Sequence, residues 1–324
     1  MTGLGVNLDV LRRFERELDP AHPERSLIPA KVLGYGEIST VFEIGEGEER
    51  RLAYKRLPMF KNLAEVEAYK ELYSRYLDIL QNRVGLRLVS SEILNFRDDH
   101  TGRNIVYIVQ EKMNPEHICH KAMLQLDPES VGQLVLTVLG ETRRVFDFNA
   151  ANKGTLEVGF DGQISNWAIL NFDPTQPLKD RIMLSYFDTS TPLVQENGLE
   201  QLNPELFLRS APSFLVWIIR RLFLEDVMTR YYNFRKVVID VIANFYKEQR
   251  PDLIPALVKI VNERFLERMG DGAIEPLTEK EIASYYREDA LIWRFYLSAR
   301  RIDRGLYRLL GRDYPYTLPG KIKR

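Results

Sequence analysis

The spacing of apolar and polar positions changes along the chain and predicts two kinds of structure. Up to about residue 113, apolar residues mostly alternate with polar ones, as in strands. The predicted strand runs are 31–44, which holds two runs joined by a glycine turn, then 51–57, 84–94 and 104–109. Beyond residue 126 the helical period dominates. The predicted helical segments there are 127–147, 213–232, 234–246, 253–265 and 289–310.

Two helical segments belong to the first part. Leu8 to Leu18 is amphipathic and precedes a linker that contains prolines, so we expect a helix that packs on the outside of the strands. A second helix is predicted from Asn62 to Leu80, with Asn62 as its N-cap. Its apolar stripe consists of Val66, Tyr69, Tyr73, Tyr76, Leu77 and Leu80.

Composition limits the class of protein. The 324 residues, 45% of them hydrophobic, suffice for one large domain or for two lobes with a shared cleft. Lys+Arg 45 against Asp+Glu 46 gives no overall charge that would attract nucleic acid. Cys119 is the single cysteine, which excludes an internal disulfide and suits a reducing compartment. No apolar run approaches the roughly 18 residues of a membrane span, so a cytoplasmic protein is expected.

The first strand pair is joined by a turn with the sequence Gly34-Tyr35-Gly36-Glu37-Ile38-Ser39-Thr40-Val41. A glycine-rich hairpin can lie over phosphates, because glycine lets the backbone approach closely and its amides can donate. In the next strand, Ala53-Tyr54-Lys55 places a lysine inside an alternating pattern, where Lys55 can point into a cleft. An ordinary hairpin turn and a solvated lysine are the alternatives.

A lysine in a cleft needs an anionic partner, and the helix that follows offers Glu65, Glu67 and Glu71. At 100° per residue, Glu65 falls beside the apolar stripe, whereas the other two acids fall nearly opposite it. We therefore predict Glu65 as the partner of Lys55. Asn62-x-x-Glu65 also reads as a capping box, which leaves a purely structural role open.

Acidic and amide side chains stand at two later positions. Asp161 and Asn166 are five residues apart in Gly-Phe-Asp-Gly-Gln-Ile-Ser-Asn-Trp, and Asp188 ends the apolar run from Ile182. If loops at one end of a sheet bring these residues together, one carboxylate can accept a hydroxyl proton while the other two side chains bind magnesium. Asp-Gly at 161–162 is also a common turn sequence.

In this order the motifs resemble the protein-kinase-like superfamily, and most closely its aminoglycoside-phosphotransferase and choline-kinase members. The resemblance runs from about Lys31 to Leu193. It implies an α+β, bilobal fold: an N-terminal helical extension (1–27), an N-lobe with a small antiparallel sheet and one helix (28–113), and a mainly helical C-lobe (114–324).

The resemblance also implies roles for individual residues in an ATP- and Mg²⁺-dependent kinase acting on a small-molecule hydroxyl. Asp161 would be the catalytic base, and Asn166 and Asp188 would bind Mg²⁺. The implied ATP-binding residues are Gly34, Gly36, Ser39, Val41, Ala53, Lys55, Glu65 and, through the main chain of the connector, Glu111 and Met113.

Several departures from the family pattern keep other functions open. Gly159 stands where the family usually has a histidine, and Asp188 is followed by Thr-Ser-Thr-Pro in place of Phe-Gly. A pseudokinase that binds nucleotide or acts as a scaffold is therefore the alternative, and a protein kinase is a third. The sequence leaves the acceptor, ATP against GTP, transfer of AMP, and the oligomeric state undetermined.

Two further patterns have structural and functional interpretations. His117-x-x-His120 has the spacing of a metal-ligand pair, but the sequence offers no second pair. The C-terminal stretch is rich in cations: Arg294, Arg300, Arg301, Arg304, Arg308, Arg312, Lys321, Lys323 and Arg324. These could hold an anionic substrate, a phospholipid head group or RNA, or they could form the solvated face of an amphipathic helix.

Overall fold

A computed structural model describes residues 3–36, 38–98, 102–176, 178, 182–212, 215–217, 229–266 and 274–320. Its helices are α1 (Leu8–Glu17), α2 (Leu63–Asp78), α3 (Cys119–Ala122), α4 (Pro128–Ala151), α5 (Glu205–Leu208), α6 (Phe234–Lys247), α7 (Ile254–Val261) and α8 (Glu279–Leu309). Its strands are β1 (Ala30–Tyr35), β2 (Thr40–Ile44), β3 (Leu52–Phe60), β4 (Ser91–Arg97), β5 (Asn104–Glu111), β6 (Leu156–Val158), β7 (Trp167–Ile169), β8 (Leu184–Tyr186), β9 (Val194–Glu196) and β10 (Leu199–Glu200).

The first five strands form one antiparallel sheet in the order β1-β2-β3-β5-β4. Its register places Gly34 opposite Val41, Val41 opposite Lys55, and Lys55 opposite Ile108. Because directly opposed residues share a face of the sheet, these four residues lie on one face, and Ala53 joins them from two positions along β3. This arrangement brings the predicted hairpin, alanine and lysine positions together.

α1 covers the other face of this sheet. Leu11 and Phe14 are buried there, and the ring of Phe14 meets that of Phe42 edge-on at 5.4 Å. A buried ion pair adds to this contact: Arg56 donates from Nε and Nη2 to the two carboxylate oxygens of Glu15, at 2.8 and 2.7 Å. The amphipathic segment from Leu8 therefore packs on the outside of the sheet, as the sequence predicts.

α2 packs across the face that carries Lys55. Its N-cap is Asn62, whose side chain accepts from the backbone amide of Glu65. A π-helical turn, Ile79–Val84, continues the helix until Gly85, which ends it with a left-handed φ of 81°. Val66 and the tyrosines of the stripe are buried in the largest apolar cluster of the described residues.

Two predicted element boundaries are wrong. The strand expected over 84–94 begins only at Ser91, because Val84 still belongs to the π-helical turn. Residues 87–89 instead pair with Tyr186 outside the sheet. The last helix begins at Glu279, ten residues before the predicted start at Asp289. Thr278 is its N-cap, and the Thr278 hydroxyl accepts from the backbone amide of Glu281 at 3.2 Å.

The second part of the structure surrounds two small sheets with helices. β6 pairs with β9, which also pairs with β10, and β7 pairs with β8. α4 packs against β6, and α6 packs against α4 and α8, with Val138 and Val238 fully buried. The predicted helices over 127–147, 234–246 and 253–265 are present, the last as α7 with a following π-helical turn, Asn262–Leu266. The loops that connect these small strands carry the acidic residues of interest.

The segment after α8 returns to the first sheet. The carbonyl of Pro315 accepts from Nη1 of Arg56 at 2.6 Å, and the carbonyl of Thr317 accepts from the hydroxyl of Thr40 at 3.5 Å. Tyr314, Tyr316 and Leu318 are buried against one another. The end of the described chain therefore packs on β2 and β3, beside the glycine hairpin.

In coarse form, the structure confirms the predicted α+β class: an antiparallel sheet followed by a mainly helical part. Among the described helices, none combines the length and apolar content needed to cross a bilayer. Most of the apolar stretch predicted as helix over 213–232 lies outside the described residues, as do Lys321, Lys323 and Arg324. The division at residues 27 and 113 stays a prediction, as does a cytoplasmic location.

Candidate active site

Lys55 connects the sheet to the second part of the structure. Its Nζ atom donates to Oδ1 of Asp188 at 2.6 Å, and the two side chains are 17% and 31% exposed. The hydroxyl of Ser190 donates to the same oxygen at 3.1 Å. Burial raises the pKa of Asp188, but the charge and hydrogen bond of Lys55 outweigh it, and the net pKa lies below its usual range. Asp188 is therefore an ionised carboxylate.

Backbone and side-chain hydrogen bonds bring Asp161 and Asn166 next to Asp188. The Asn166 amide donates from Nδ2 to the Asp161 carbonyl at 3.2 Å, and the Phe187 amide donates to the Asn166 carbonyl at 3.1 Å. The hydroxyl of Tyr186 also donates to the Asp161 carbonyl, at 3.0 Å. The β7–β8 hairpin thus positions the three residues that the sequence singled out.

The Asp161 carboxyl lies close to a second acid that the sequence analysis did not identify. The side chain of Gln163 donates to Oδ2 of Asp240 at 2.9 Å, and its backbone amide donates to Oδ1 of Asp161 at 3.1 Å. Burial, and then the charges of Asp240 and Asp188, raise the pKa of Asp161 to about 7. The sequence does mark Asp240 as unusual, because this acid interrupts the apolar run from Val237 to Ile242.

The loop before Asp161 has no space for a side chain at Gly159. A Cβ atom there would lie 2.8 Å from Cβ of Leu193 and 3.1 Å from the ring of Tyr232. The Gly159 amide donates to the Leu193 carbonyl at 3.0 Å, which holds the two segments at this distance. A histidine, which protein-kinase-like proteins usually have at the corresponding position, would therefore not fit here.

Three tyrosines of α2 tie the helix to the loops that carry the acids. Tyr69 donates to the Ser190 carbonyl at 2.8 Å, Tyr73 lies 3.0 Å from Oγ1 of Thr189, and Tyr76 donates to the Gly159 carbonyl at 3.0 Å. From their helical spacing, these rings are predicted only as part of an apolar stripe. Tyrosine at buried helical positions was the available signal, because a buried hydroxyl normally finds a partner.

The predicted ion pair between Lys55 and Glu65 is wrong for this structure. Glu65 instead forms a bidentate ion pair with Arg209, with oxygen–nitrogen distances of 2.5 and 2.9 Å. It also accepts from the backbone amide of Lys61 at 2.9 Å. Of the other candidate acids, Glu67 pairs with Lys70 on the surface, and Glu71 is exposed. The anionic contact of Lys55 comes from Asp188, and Glu65 anchors α2 to the region of α5.

The remaining predicted nucleotide residues lie in the hairpin, at the end of β5 and in the connector that follows it. The Gly36 amide donates to the carbonyl of Ser39 at 3.0 Å, which closes the hairpin. Glu111 ends β5 opposite Leu52, and Met113 follows in the connector. Gln110, which the sequence analysis missed, donates to the carbonyl of Phe187 at 3.0 Å and links β5 to the Asp188 loop.

The oxygen ligands available here suit magnesium better than zinc. Asp188 offers an ionised carboxylate, and Asn166, which donates through Nδ2, keeps Oδ1 as an acceptor. Mg²⁺ in nucleotide sites commonly takes one or two protein oxygens and completes its shell with phosphate and water. Within the described ranges, no three His, Cys, Asp or Glu side chains are grouped as metal ligands, and the His117–His120 motif has no partners there.

Comparisons with known proteins add a family but no activity. No curated protein matches the sequence. Solved structures do match, among them one titled "WaaP in complex with acyl carrier protein", with 15% identity over 72% of this chain and 89% of that chain, at a TM-score of 0.31. A likeness this low assigns neither the fold nor an activity. The model of a family of unknown function, DUF6206, matches residues 19–304, and the chain therefore belongs to that family.

Proposed function

We propose that this protein is an ATP- and Mg²⁺-dependent phosphotransferase with a bilobal protein-kinase-like fold, acting on a hydroxyl group of a small molecule. The observation that supports this most is the contact of Lys55 with Asp188, beside Asn166 and Asp161. One cation from the sheet, two oxygen ligands and a separate carboxylate are the groups that phosphoryl transfer requires.

In this proposal each side chain has a distinct task. Asn166 and Asp188 hold Mg²⁺, which neutralises charge on the phosphates when it is bound. Lys55 binds the phosphates of the nucleotide, and the hairpin from Gly34 to Ser39 covers them. Glu111 and Met113 offer main-chain atoms to the base.

Asp161 is the proposed general base, which accepts the proton of the acceptor hydroxyl. A general base works best when its pKa lies near the operating pH, and the pKa of Asp161 is raised to about 7. Gln163 fixes the carboxyl through its backbone amide and holds Asp240 close by. Asp240 thus acts on the reaction through Asp161.

A short connection after Asp188 favours a small-molecule acceptor. β9 begins at Val194, and the Leu193 carbonyl already accepts from the Gly159 amide. Five residues separate Asp188 from β9, which leaves no long segment to bind an extended peptide.

The pseudokinase alternative has one specific observation in its favour. Lys55 is bound to Asp188 and Glu65 is bound to Arg209, so these four charged groups are paired without a nucleotide. A protein that binds nucleotide but transfers nothing would also have this arrangement.

The decisive experiment measures thermal stability with ATP, with MgCl₂ and with both, followed by transfer of labelled γ-phosphate to candidate acceptors. A ligand present at about 100 times its dissociation constant adds roughly 2.7 kcal/mol to stability. We expect a shift that requires both ligands and disappears in Asp188→Asn. The matched control is Asp173→Asn, an exposed acid in the turn after β7.

The outcomes separate the candidates. A shift together with a phosphorylated product establishes the kinase, and a shift without any product under all acceptor conditions favours the pseudokinase. No shift in any condition contradicts the kinase and leaves only a scaffold that binds no nucleotide. An equal shift in Asp188→Asn contradicts the role of Asp188 as a magnesium ligand.

A further inference from the structure

The outer side of α8 carries an apolar stripe that faces solvent. The exposed fractions are 69% for Leu291, 51% for Phe295, 59% for Ile302, 44% for Leu306 and 84% for Leu309. At 100° per residue these side chains fall within a sector of about 60°. The stripe extends over 19 residues, which is roughly 28 Å of helix. Scattered apolar residues on a surface are ordinary, but a continuous row of this length marks an interaction site.

The opposite side of α8 is anchored in the structure. Trp293 and Leu297 are buried, and the guanidinium of Arg300, itself 2% exposed, stacks on the rings of Tyr296 and Tyr316 at 5.4 and 4.7 Å. A helix fixed on this side cannot rotate to bury its outer stripe. Among the described residues, none covers the stripe.

A row of arginines runs along one edge of the stripe. Arg287, Arg294, Arg301 and Arg308 recur every seven residues, and all four are exposed. Apart from the buried Arg300, the sequence from Leu291 to Arg312 has five arginines and one acid, Asp303. The surface thus combines aliphatic and aromatic side chains with a local excess of positive charge.

Charge decides against a second copy of this chain as the occupant. In an antiparallel helix pair the arginine row of one copy would face the arginine row of the other. In a parallel pair it would face Ile292, Ala299 and Leu306, which offer no carboxylate. A like-charged or uncompensated row opposes either pairing.

We propose that α8 binds the surface of an anionic lipid bilayer, with the stripe inserted at the acyl boundary and the arginine row on the phosphates. An amphipathic helix with cations beside its apolar face binds membranes in this way, by apolar burial plus attraction to anionic lipid. A row of exposed apolar side chains along one side of a helix can lie on a planar surface, and long arginine side chains can extend to head groups while their stems stay apolar.

The test is co-sedimentation of the full chain with vesicles of phosphatidylcholine alone or with about one-third phosphatidylglycerol. One variant combines Phe295→Gln, Ile302→Gln and Leu309→Gln, and a second combines Arg294→Gln and Arg308→Gln. Matched controls are Leu27→Gln with Leu199→Gln, which are 79% and 69% exposed elsewhere, and Arg13→Gln with Arg16→Gln on α1.

We expect binding to the anionic vesicles only, its loss in the apolar variant, and a drop on the order of 30-fold in the arginine variant, since each cation near such a surface contributes about a factor of five. Both control variants should bind like the unmodified chain. Equal melting temperatures would show that the variants are folded.

Three results would overturn the proposal. The first is absence of binding to anionic vesicles, which would leave an acidic protein as the occupant. The second is equal binding by the stripe variants and the controls. The third is a lipid-free dimer in analytical ultracentrifugation that the apolar variant abolishes, which would assign the stripe to a second copy. None of these results depends on phosphotransfer.

Discussion

Lys55 of the sheet and Asp188 of the loop after β8 are joined by a hydrogen-bonded ion pair of 2.6 Å. The pair lowers the pKa of the Asp188 carboxyl despite its burial. Lys55 and Asp188 are therefore already paired before any ligand enters, and a nucleotide with its metal must compete for both groups.

The first prediction concerns Lys55→Met. We expect it to destabilise the protein by about 1–3 kcal/mol, because it leaves the Asp188 carboxylate without its charged donor. Lys55→Met combined with Asp188→Asn should be less destabilised than Lys55→Met alone. Urea unfolding at neutral pH measures both free energies, and additive losses would show that the two residues are not coupled.

The same pair predicts a dependence on acid pH. The pKa of Asp188 is lower in the folded state, so its contribution to stability is present above the unfolded pKa of roughly 4 and is lost as the pH falls through the lower folded value. Melting temperatures from pH 6 to pH 2 should therefore fall less steeply in Asp188→Asn than in the unmodified chain. Parallel curves would contradict this prediction.

Asp161 should show the opposite dependence. Because its pKa is raised to about 7, it contributes stability at low pH that is lost as the pH rises through 7. Asp161→Asn should thus raise the melting temperature at pH 8 and leave it nearly unchanged at pH 4. If the protein is a kinase, this variant should also abolish transfer.

Asp240→Asn tests the coupling between the two acids. Removal of the Asp240 charge should lower the pKa of Asp161. The titration of Asp161 and the acid limb of the pH–activity profile should then both move to lower pH. Carboxyl NMR resonances measure this shift directly. Asp252→Asn, which removes an exposed acid that pairs with Arg250, is the control, and an equal effect of both changes would contradict the coupling.

Glu65→Gln separates the observed ion pair from the predicted one. It weakens the contact with Arg209, so a loss of about 1–3 kcal/mol in stability is expected. Stabilisation by ATP with MgCl₂ should persist, whereas Lys55→Met should abolish it. Equal loss in both variants would mean that Glu65 reaches Lys55 when nucleotide binds. Glu71→Gln, an exposed acid on the same helix, is the control.

Local sequence rules accounted for much of the fold. Asn62 caps α2 as expected, and the alternation around Lys55 placed its side chain on the face shared with Gly34 and Val41. These features depend on neighbours in sequence or on the regular geometry of strands. The spacing of Asp161 and Asn166, and the end of the run at Asp188, likewise indicated three residues that the structure brings together.

The failures depend on distant partners. Arg209, which pairs with Glu65, lies 144 residues away from it, and Asp240 lies 77 residues from Gln163, which binds both Asp240 and Asp161. The apolar residues after Val84 looked like a strand because they are buried, but their backbone pairs with Tyr186 and not with the sheet. Periodicity reports which side chains are buried and does not report against which element.

The contacts of the segment after α8 have a consequence for local opening. The carbonyls of Pro315 and Thr317 accept from Arg56 and Thr40, beside the hairpin that carries Gly36. Residues bound in this way open together, so the hairpin amides should exchange their hydrogens with the same free energy as those around Tyr316. The rate at which a nucleotide gains access beneath the hairpin would then be governed by the release of a segment about 280 residues further along the chain.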